Sequence, residues 1–182
     1  MKLEKKIVTL KNGAVCILRS AEETDAQQMI DNLKITASET DFLLRYPEEV
    51  DYTLEQEQKI LFDYAQSPRS LMLVAEIDSD IAGMCNLSPA GKRSKVMHRC
   101  TMGISMAQKF WGLGVGTAMM QTLLDKAKEV GYEQIELEVV SKNERAIALY
   151  EKMGFVKTGT LLKALKNKDG SYYDLTLMMR EL

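Results

Sequence analysis

The segment Gln108-Lys109-Phe110-Trp111-Gly112-Leu113-Gly114-Val115-Gly116-Thr117 places three glycines at alternate positions. An apolar strand is predicted before this segment and an amphipathic helix after it. Glycine lets the backbone approach a ligand closely, and the start of a helix offers unpaired N–H groups at the positive end of its dipole. The segment therefore predicts a binding site for a phosphate or pyrophosphate group.

Two common phosphate-binding loops do not fit this glycine pattern. The Walker loop ends in Gly-Lys-Ser/Thr, and no glycine of this chain is followed by that sequence at the required spacing. The dinucleotide fingerprint G-x-G-x-x-G needs its third glycine where the chain has Thr117. The remaining pattern is G-x-G-x-G, for which the alternative interpretation is a strand-to-helix turn that binds no ligand.

A second informative segment, Ser141–Phe155, follows the next predicted strand. Ser141 and Glu144 fit a capping box, and Asn143 is an equally good N-cap for a helix. One face of that helix then carries Ala146, Ile147, Tyr150 and Met153. Gly154 is typical of the residue that ends a helix in the left-handed conformation.

Together the two segments resemble the GNAT superfamily of acyl-CoA-dependent N-acyltransferases. The order is F-W-G-L-G-V-G-T, a helix, a strand and then N-x-x-A-x-x-L-Y-x-x-x-G-F. The family loop is usually Q/R-x-x-G-x-G/A, so Trp111 stands in the Gln/Arg place and Gly114 and Gly116 are the two glycines. The resemblance rests on motifs from Lys95 to Leu182 and on the order of elements before that.

The resemblance implies the α/β (α+β) class and the GNAT fold. In that fold a mixed, mostly antiparallel sheet of about seven strands is flanked by about four helices. Residues 1–182 are expected to form a single domain of this kind. The predicted elements are strands Lys6–Leu10 and Ala14–Arg19, a helix from Thr24 or Asp25 to about Thr36, a helix from Leu54 to about Gln66, strands Ser70–Ile77, Ile81–Leu87 and Lys95–Met106, a helix with Val115 on its apolar face that ends at Gly131, strand Gln134–Val140, the helix after Asn143, and strands Phe155–Lys166 and Tyr172–Arg180.

The composition is that of an ordinary globular protein, with 46% hydrophobic and 27% charged residues. A net charge of −2 predicts no nucleic-acid partner. Cys16, Cys85 and Cys100 are scattered through apolar stretches, which favours buried, reduced thiols in a cytoplasmic protein, and they form no metal-ligand spacing. No signal peptide or transmembrane-length run is present, so no membrane partner is predicted.

The resemblance implies that acetyl-CoA is the cofactor and assigns residues to it. Ile104, Ser105 and Met106 resemble the strand end whose backbone pairs with the pantetheine arm and whose N–H stabilises the oxyanion. The pyrophosphate loop comprises Trp111, Gly112, Leu113, Gly114, Val115, Gly116 and Thr117. Asn143 resembles the family asparagine that contacts the cofactor, although a plain N-cap has the same sequence signature.

The same resemblance implies a catalytic acid at Tyr150. Tyr150 stands in register after Asn143 and before Gly154, at the place of the family tyrosine that protonates the departing thiolate. The alternative is a core tyrosine with a satisfied hydroxyl. Because a thiolate is already a tolerable leaving group, we expect a moderate contribution to the rate.

The base is harder to assign from the sequence. Many family members have a Glu where this chain has Thr101, and threonine cannot act as a base. His98 is a candidate, since histidine is the side chain that ordinarily titrates nearest neutral pH. Residues 98 and 101 lie on opposite faces of a regular strand, so His98 needs a bulge to reach the site. Glu76, Glu138 and an ordered water remain open.

The implied reaction is transfer of an acetyl group from acetyl-CoA to a primary amine by direct attack in a ternary complex. The amine belongs to a small molecule, a peptide or protein N-terminus, or a lysine. Acidic residues in the region of the first two helices favour a cationic acceptor by long-range attraction: Glu39, Asp41, Glu48, Glu49, Asp51, Glu55 and Glu57. The simpler interpretation of such a run is a solvated face.

Two other classes of function remain open at this stage. The absence of Glu at residue 101 permits a non-catalytic regulatory domain that binds acyl-CoA. A nucleotide-binding α/β protein with a similar glycine segment is the other, and binding of acetyl-CoA but not of NAD or ATP would exclude it. A homodimer is compatible with all of these interpretations.

Overall fold

The structure, a computed structural model, describes residues 1–182. It contains eight strands and four α-helices, joined by short connections. The strands are β1 (Lys6–Thr9), β2 (Val15–Ser20), β3 (Leu71–Ile77), β4 (Asp80–Pro89), β5 (Arg99–Met106), β6 (Gln134–Val140), β7 (Val156–Lys166) and β8 (Tyr172–Glu181). The helices are α1 (Ala26–Glu39), α2 (Leu54–Gln66), α3 (Val115–Glu129) and α4 (Glu144–Lys152).

All eight strands form one sheet in the order β1-β2-β3-β4-β5-β6-β8-β7. Every neighbouring pair is antiparallel except β5 and β6, which are parallel. The predicted class, a mixed and mostly antiparallel sheet with four helices, is confirmed, with one strand more than expected. The extra count does not come from an unpredicted strand, because each observed strand corresponds to a segment that the sequence pattern indicated.

The two faces of the sheet are covered by different helices. The larger core contains the buried face of α3, with Val115, Met119, Leu123 and Ala127 fully buried against the sheet. On the opposite face, Met29 of α1 and Leu61 of α2 pack against Val74 of β3. The helix pair α1–α2 and the helix α3 therefore lie on opposite sides of the central strands.

Helix boundaries follow the capping residues. Thr53 caps α2, since its hydroxyl accepts a hydrogen bond from the Gln56 N–H at 3.2 Å while the Gln56 side chain accepts one from the Thr53 N–H. Gly154 follows α4 with φ of 84°, the left-handed conformation that the sequence predicted. Helix α1 continues to Glu39, three residues past its predicted end at Thr36.

The predicted strand Lys95–Met106 is wrong in its first part. Residues Ser94–Val96 form a short 3-10 helix, and β5 begins only at Arg99. The reason lies in β4, which pairs with β5 as far as Pro89 opposite Cys100. Because the two strands are antiparallel neighbours, the residues between Pro89 and Arg99 must form the connection that reverses the chain.

Strands β5 and β6 separate after a short paired stretch. Their parallel register covers only Arg99–Thr101 opposite Gln134–Glu136. Beyond that point β5 remains paired with β4, and β6 remains paired with β8. The edges of β5 and β6 that face each other are therefore open along residues 102–106 and 137–140.

Candidate active site

The gap between the separated strands leads into a cavity of about 1020 Å³. Residues 102–106 of β5 and 137–140 of β6 line it. We call the part bounded by residues 111–117 and the first turns of α4 the loop side. The part bounded by α1, α2 and the intervening segment 40–53 is the helix side.

The loop side presents a series of free backbone donors. The N–H groups of residues 112–117 donate to no protein acceptor, whereas the Ala118 N–H donates to the Gly114 carbonyl and starts the regular bonding of α3. These donors lie at the positive end of the α3 dipole. Lys11, Lys142 and Arg145 also line the cavity and add positive charge. The arrangement suits a pyrophosphate or phosphate ligand.

Two glycines of this loop are required for different reasons. Gly114 is the N-cap of α3 and has φ of 97°, a conformation that side chains resist. Gly116 has an ordinary φ but little space, because a Cβ there would lie 3.3 Å from Leu149 Cδ2 and 3.6 Å from Met106 Cε. The first glycine therefore shapes the loop, and the second lets α3 approach α4 and β5.

Trp111 fixes the loop to the end of β5. Its indole Nε1–H donates a hydrogen bond to the Met106 carbonyl at 2.9 Å. The Arg145 guanidinium lies 4.5 Å from the centre of its ring, a cation–π distance. Trp111 thus connects β5, the loop and α4, which explains why an aromatic residue occupies this position.

The structure brings most of the residues predicted to bind the cofactor to one cavity. Those that line it are Ile104, Ser105, Met106, Trp111, Gly112, Gly114, Gly116, Thr117 and Asn143. Leu113 and Val115 do not: the Leu113 carbonyl accepts a hydrogen bond from the Lys11 N–H at 3.1 Å, and Val115 is fully buried in the core. These two residues contribute only their backbone N–H groups to the unpaired donors of residues 112–117.

Asn143 occupies the N-cap position of α4, one of the two caps that the sequence allowed. Its side-chain oxygen accepts a hydrogen bond from the Ala146 N–H at 3.2 Å. Ser141, the other candidate, instead shares a hydrogen bond with Thr176 at 2.8 Å. Because the cap uses only the oxygen of Asn143, its amide N–H₂ is left for a ligand in the cavity.

Tyr150 lines the same cavity from α4 and is 7% exposed. Burial raises the pKa of its hydroxyl to about 12, and the nearby Cys85 contributes in the same direction. Its ring packs 6.0 Å from the ring of Phe155. The phenol therefore remains protonated throughout the neutral range and can donate a proton or a hydrogen bond into the cavity.

The candidate bases are dispersed. His98 precedes β5, and its carbonyl accepts hydrogen bonds from the Glu133 and Gln134 N–H groups; it does not line the cavity. Thr101 is exposed and also lies outside the cavity. Glu76 is held in an ion pair with Arg19 at 2.8 Å, away from the cavity. Of the side chains considered in the sequence, only Glu138 lines it.

Contacts between distant segments hold segment 40–53 in place. Tyr46 accepts a hydrogen bond from the Lys168 N–H at 3.0 Å through its hydroxyl, and the Lys168 side chain forms an ion pair with Glu48. The ring of Phe42 lies 6.3 Å from that of Tyr173. The segment between α1 and α2 is therefore joined to β8 and to the β7–β8 turn.

Three of the seven acidic residues in the run on the helix side have protein partners. Glu39 accepts a hydrogen bond from the Gln108 N–H at 2.6 Å, Glu48 pairs with Lys168, and Glu49 accepts one from the Tyr46 N–H at 2.8 Å. Among the seven acidic residues that the sequence identified there, only Glu57 lines the cavity. This run therefore contributes one carboxylate to the site, beside Glu138 of β6 and Glu144 of α4.

The comparisons with known proteins agree with this geometry. A model of the acetyltransferase (GNAT) family matches residues 36–155, which includes the glycine loop, Asn143 and Tyr150. The chain belongs to the GNAT family of acetyltransferases.

Two relatives support this membership. An N-alpha-acetyltransferase of Sulfurisphaera tokodaii is 27% identical over 172 residues, covering 89% of this chain and 93% of the relative. The L-amino acid N-acetyltransferase AaaT of Escherichia coli is 33% identical over 118 residues, covering 64% of this chain and 71% of the relative. Some relatives are longer, and the match spans 42% of the length of one of them.

A solved GNAT-family acetyltransferase of Streptococcus pneumoniae superposes with a TM-score of 0.87 at 27% identity. The superposition covers 92% of this chain and 99% of the solved chain. This GNAT protein is thus an N-acetyltransferase that uses acetyl-CoA as its acetyl donor.

Sequence reasoning missed several residues of the cavity in this GNAT protein. Lys142 and Arg145 flank the predicted cap Asn143, so their basic character beside that motif was an available signal. Lys11 had no such signal, because only the folded chain brings the turn after β1 beside Gly114, with Lys11 Cγ 3.9 Å from where a Gly114 Cβ would be. Phe42 and Leu43 likewise lie in a segment with no motif.

Proposed function

We propose that this N-acetyltransferase acts on a primary amine that enters from the helix side while acetyl-CoA occupies the loop side. The observation that carries the proposal is the single cavity, which both sides and the open edges of β5 and β6 share. One cavity with two differently built sides suits two substrates bound together. Direct attack of the amine on the thioester then needs no covalent enzyme intermediate.

We propose that the free N–H groups of residues 112–117 bind the pyrophosphate, with Lys11, Lys142 and Arg145 adding charge. The open edge of β5 at Ile104, Ser105 and Met106 would pair with the pantetheine arm. Trp111 holds this edge and the loop in a fixed relation, and the amide of Asn143 faces the same ligand. The donor set fits a phosphate-bearing cofactor because it consists of main-chain amides and cations.

In the proposed reaction the amine nitrogen attacks the thioester carbonyl carbon. The C–N bond forms, the C–S bond breaks, and the departing sulfur takes a proton from the Tyr150 hydroxyl. The high pKa of Tyr150 keeps that proton available at neutral pH. The proton lost by the amine passes to water or to Glu138, the carboxylate that the cavity offers from β6. The role of His98 as the base stays a prediction, and the position of His98 outside the cavity does not favour it.

For the acceptor we propose a chemical class and no individual compound. The names of the relatives include an N-alpha-acetyltransferase and an L-amino acid N-acetyltransferase, so small amines and peptide N-termini are both candidates. We propose a cationic acceptor, because Glu57, the buried charged residue that lines the helix side of the cavity, is negative. The remaining predictions of a homodimer and of no nucleic-acid partner stay predictions.

We also propose that residues 1–182 act as one domain in the cytoplasm. A single continuous sheet joins the two ends of the chain, since β1 and β8 belong to it. Cys16, Cys85 and Cys100 are free and buried, as in proteins of reducing compartments. No helix of the structure has the length and hydropathy that a membrane span requires.

A thiol-release screen tests the proposal. Purified protein and acetyl-CoA would be incubated with amino acids, polyamines, aminoglycosides and peptides with free N-termini. Amine-dependent release of CoA thiol, with an acetylated product of the expected mass, would support it. If acetyl-CoA binds and no amine in the panel releases thiol, the acceptor assignment is overturned.

A further inference from the structure

Glu57 is the one buried charged side chain that lines the cavity. It lies on α2 and is 8% exposed. The other charged residues that line the cavity are all exposed: Lys11, Arg45, Glu138, Lys142, Glu144 and Arg145. Helices α1 and α2 contribute no second charge, and the rest of their cavity wall is mostly apolar, with Leu33, Ala37 and Ile60.

The carboxylate of Glu57 has no protein partner. It forms no ion pair and accepts no hydrogen bond, and burial raises its pKa. The charge of Arg45 acts in the opposite direction and lowers that pKa, but the Arg45 guanidinium lies over the Tyr52 ring at 5.3 Å and forms no ion pair with Glu57. Its oxygens are not completely enclosed by the protein, so a cationic ligand in the cavity can reach them and supply the donors that the protein does not.

The chemistry of the surroundings restricts the ligand. A divalent metal ion needs several oxygen, nitrogen or sulfur ligands, and no cluster of three such side chains exists in the structure. An ammonium group on an aliphatic chain fits better. Its charge and N–H donors would satisfy Glu57, and its methylene groups would contact the apolar walls of α1 and α2.

The nitrogen at Glu57 should differ from the nitrogen that reacts. A carboxylate beside an ammonium stabilises the protonated form and so opposes the deprotonation that attack requires. Glu57 also lies on the helix side, whereas Tyr150 and the open edge of β5 define the place of the thioester. A cavity of about 1020 Å³ has room for an acceptor that spans both places.

We propose that Glu57 binds a second cationic nitrogen of the acceptor, and that the acceptors are therefore α,ω-diamines or polyamines. The inference rests on the proposed function, since it names the substrate class of that same cavity. One nitrogen is acetylated near Tyr150, while the other stays protonated at Glu57. The spacing between the two determines which chain length is preferred.

The test compares diamines with amino alcohols of equal length. A series of α,ω-diamines from propane to octane is assayed by thiol release, beside the amino alcohols in which a hydroxyl replaces one ammonium. In the wild type we expect kcat/KM for the best diamine to exceed that of its amino alcohol by at least about 10-fold, a difference of ~1.4 kcal/mol. The preference should appear in KM.

Two variants on the same helix locate the effect. Glu57→Gln removes the charge with little change of shape and should bring the ratio close to one. Glu55→Gln removes an exposed charge of the same helix that does not line the cavity, and it should keep the wild-type ratio. A melting temperature of Glu57→Gln at or above that of the wild type would show that the carboxylate has no structural partner.

Three results would overturn the inference. They are an equal rate with diamines and amino alcohols in the wild type, a preference that survives Glu57→Gln, and no diamine binding to the CoA complex by calorimetry together with no turnover. If other amines release thiol while diamines do not, the inference alone fails. If no amine of any class releases thiol, the proposed function fails with it.

Discussion

The loop side and the helix side of the cavity are built in different ways. The loop side comes mainly from one stretch, β5 to α4, with Lys11 added from the turn after β1, and it offers mainly backbone N–H groups. The helix side is assembled from α1, α2 and segment 40–53, which contacts the distant β7–β8 turn, and it offers side chains. Recognition through the backbone leaves a sequence pattern, because only certain residues permit the required geometry. Recognition through side chains leaves no such sequence pattern, because only the folded chain brings the side chains together.

This difference has a consequence for specificity. A backbone cradle suits a ligand that every member of a family shares, since side chains can vary around it. A side-chain wall changes with single substitutions, so it can be altered for a new acceptor without disturbing the cofactor site. We therefore expect substitutions on the two sides to have separable effects on acetyl-CoA and on the amine.

The largest effect should come from Gly114→Val. Valine resists the φ of 97° that Gly114 adopts, so the loop must change shape and its N–H groups lose their common direction. We expect acetyl-CoA affinity to fall at least about 100-fold, or ~2.8 kcal/mol, by calorimetry.

Gly131→Val is the matched control, since Gly131 has φ of 86° but follows α3 at its far end. It should bear a similar backbone strain and keep its affinity. Unchanged affinity in a folded Gly114→Val variant would contradict the assignment of the loop.

The next effect tests the chemistry between the two sides. Tyr150→Phe removes only the hydroxyl, so kcat should fall by roughly 100-fold, at the lower end of general acid catalysis. The affinity for acetyl-CoA should stay within about 2-fold of the wild type. Because the pKa of Tyr150 is about 12, the wild type should show no loss of activity from its ionisation below pH ~11.

Tyr132→Phe provides the comparison, because Tyr132 is a buried tyrosine whose hydroxyl donates to the Arg69 carbonyl at 2.8 Å, outside the cavity. Turnover should survive that change. Equal turnover in both variants would make Tyr150 a core residue.

A stability measurement should distinguish a buried from an exposed ion pair among the elements that build the helix side. Asp25, which precedes α1, accepts hydrogen bonds from Arg19 at 2.6 and 2.8 Å. Burial alone would raise the pKa of Asp25, but these bonds, the Glu22 N–H and the Arg19 charge hold it below its usual value. Asp25→Asn should therefore reduce the free energy of unfolding at neutral pH by about 2 kcal/mol.

The pH dependence has a definite sign. The pKa of Asp25 is lower in the folded than in the unfolded chain, so its contribution is present above pH ~4 and is lost as the pH falls through the folded pKa. Denaturation of the wild type and Asp25→Asn should converge in acid. Asp63→Asn, which breaks an exposed pair with Lys59, should change stability by less than about 1 kcal/mol. Parallel curves for the wild type and Asp25→Asn would contradict the linkage.

The smallest effect should come from His98→Ala. Since His98 does not line the cavity, we expect kcat/KM to change by less than about 2-fold. The rate should rise with pH toward the pKa of the amine, near ~10, in both proteins. Disappearance of a limb near neutral pH in the variant would restore His98 as the base.

The sequence predicted the loop side better than the helix side for physical reasons. Gly114, Gly154 and Asn143 each occupy a turn or cap position that few residue types suit, so their identity indicates the local structure directly. The separation of β5 from β6 depends on which neighbour each strand keeps, which no local pattern encodes. The incorrect start of β5 has the same origin, since Pro89 opposite Cys100 is a long-range pairing.

The acidic run shows most clearly which features the sequence alone does not predict. In sequence, Glu39, Glu48 and Glu57 are equivalent members of a charged region, and the simple expectation was a common electrostatic field. In the fold, Glu39 anchors Gln108 and Glu48 pairs with Lys168, whereas Glu57 alone is buried in the cavity without a partner. Partner contacts over more than sixty residues of sequence decide between these roles.

Trp111 is the only tryptophan of the chain, and it lies between the Met106 carbonyl and the Arg145 guanidinium. All indole fluorescence of the unmodified protein therefore originates from one corner of the loop side. Its intensity and emission wavelength should respond when an anionic ligand draws Arg145 away from the ring or dries the surroundings. Rapid-mixing fluorescence can thus follow cofactor binding in real time without a label. Binding of the acceptor on the helix side should leave this signal unchanged.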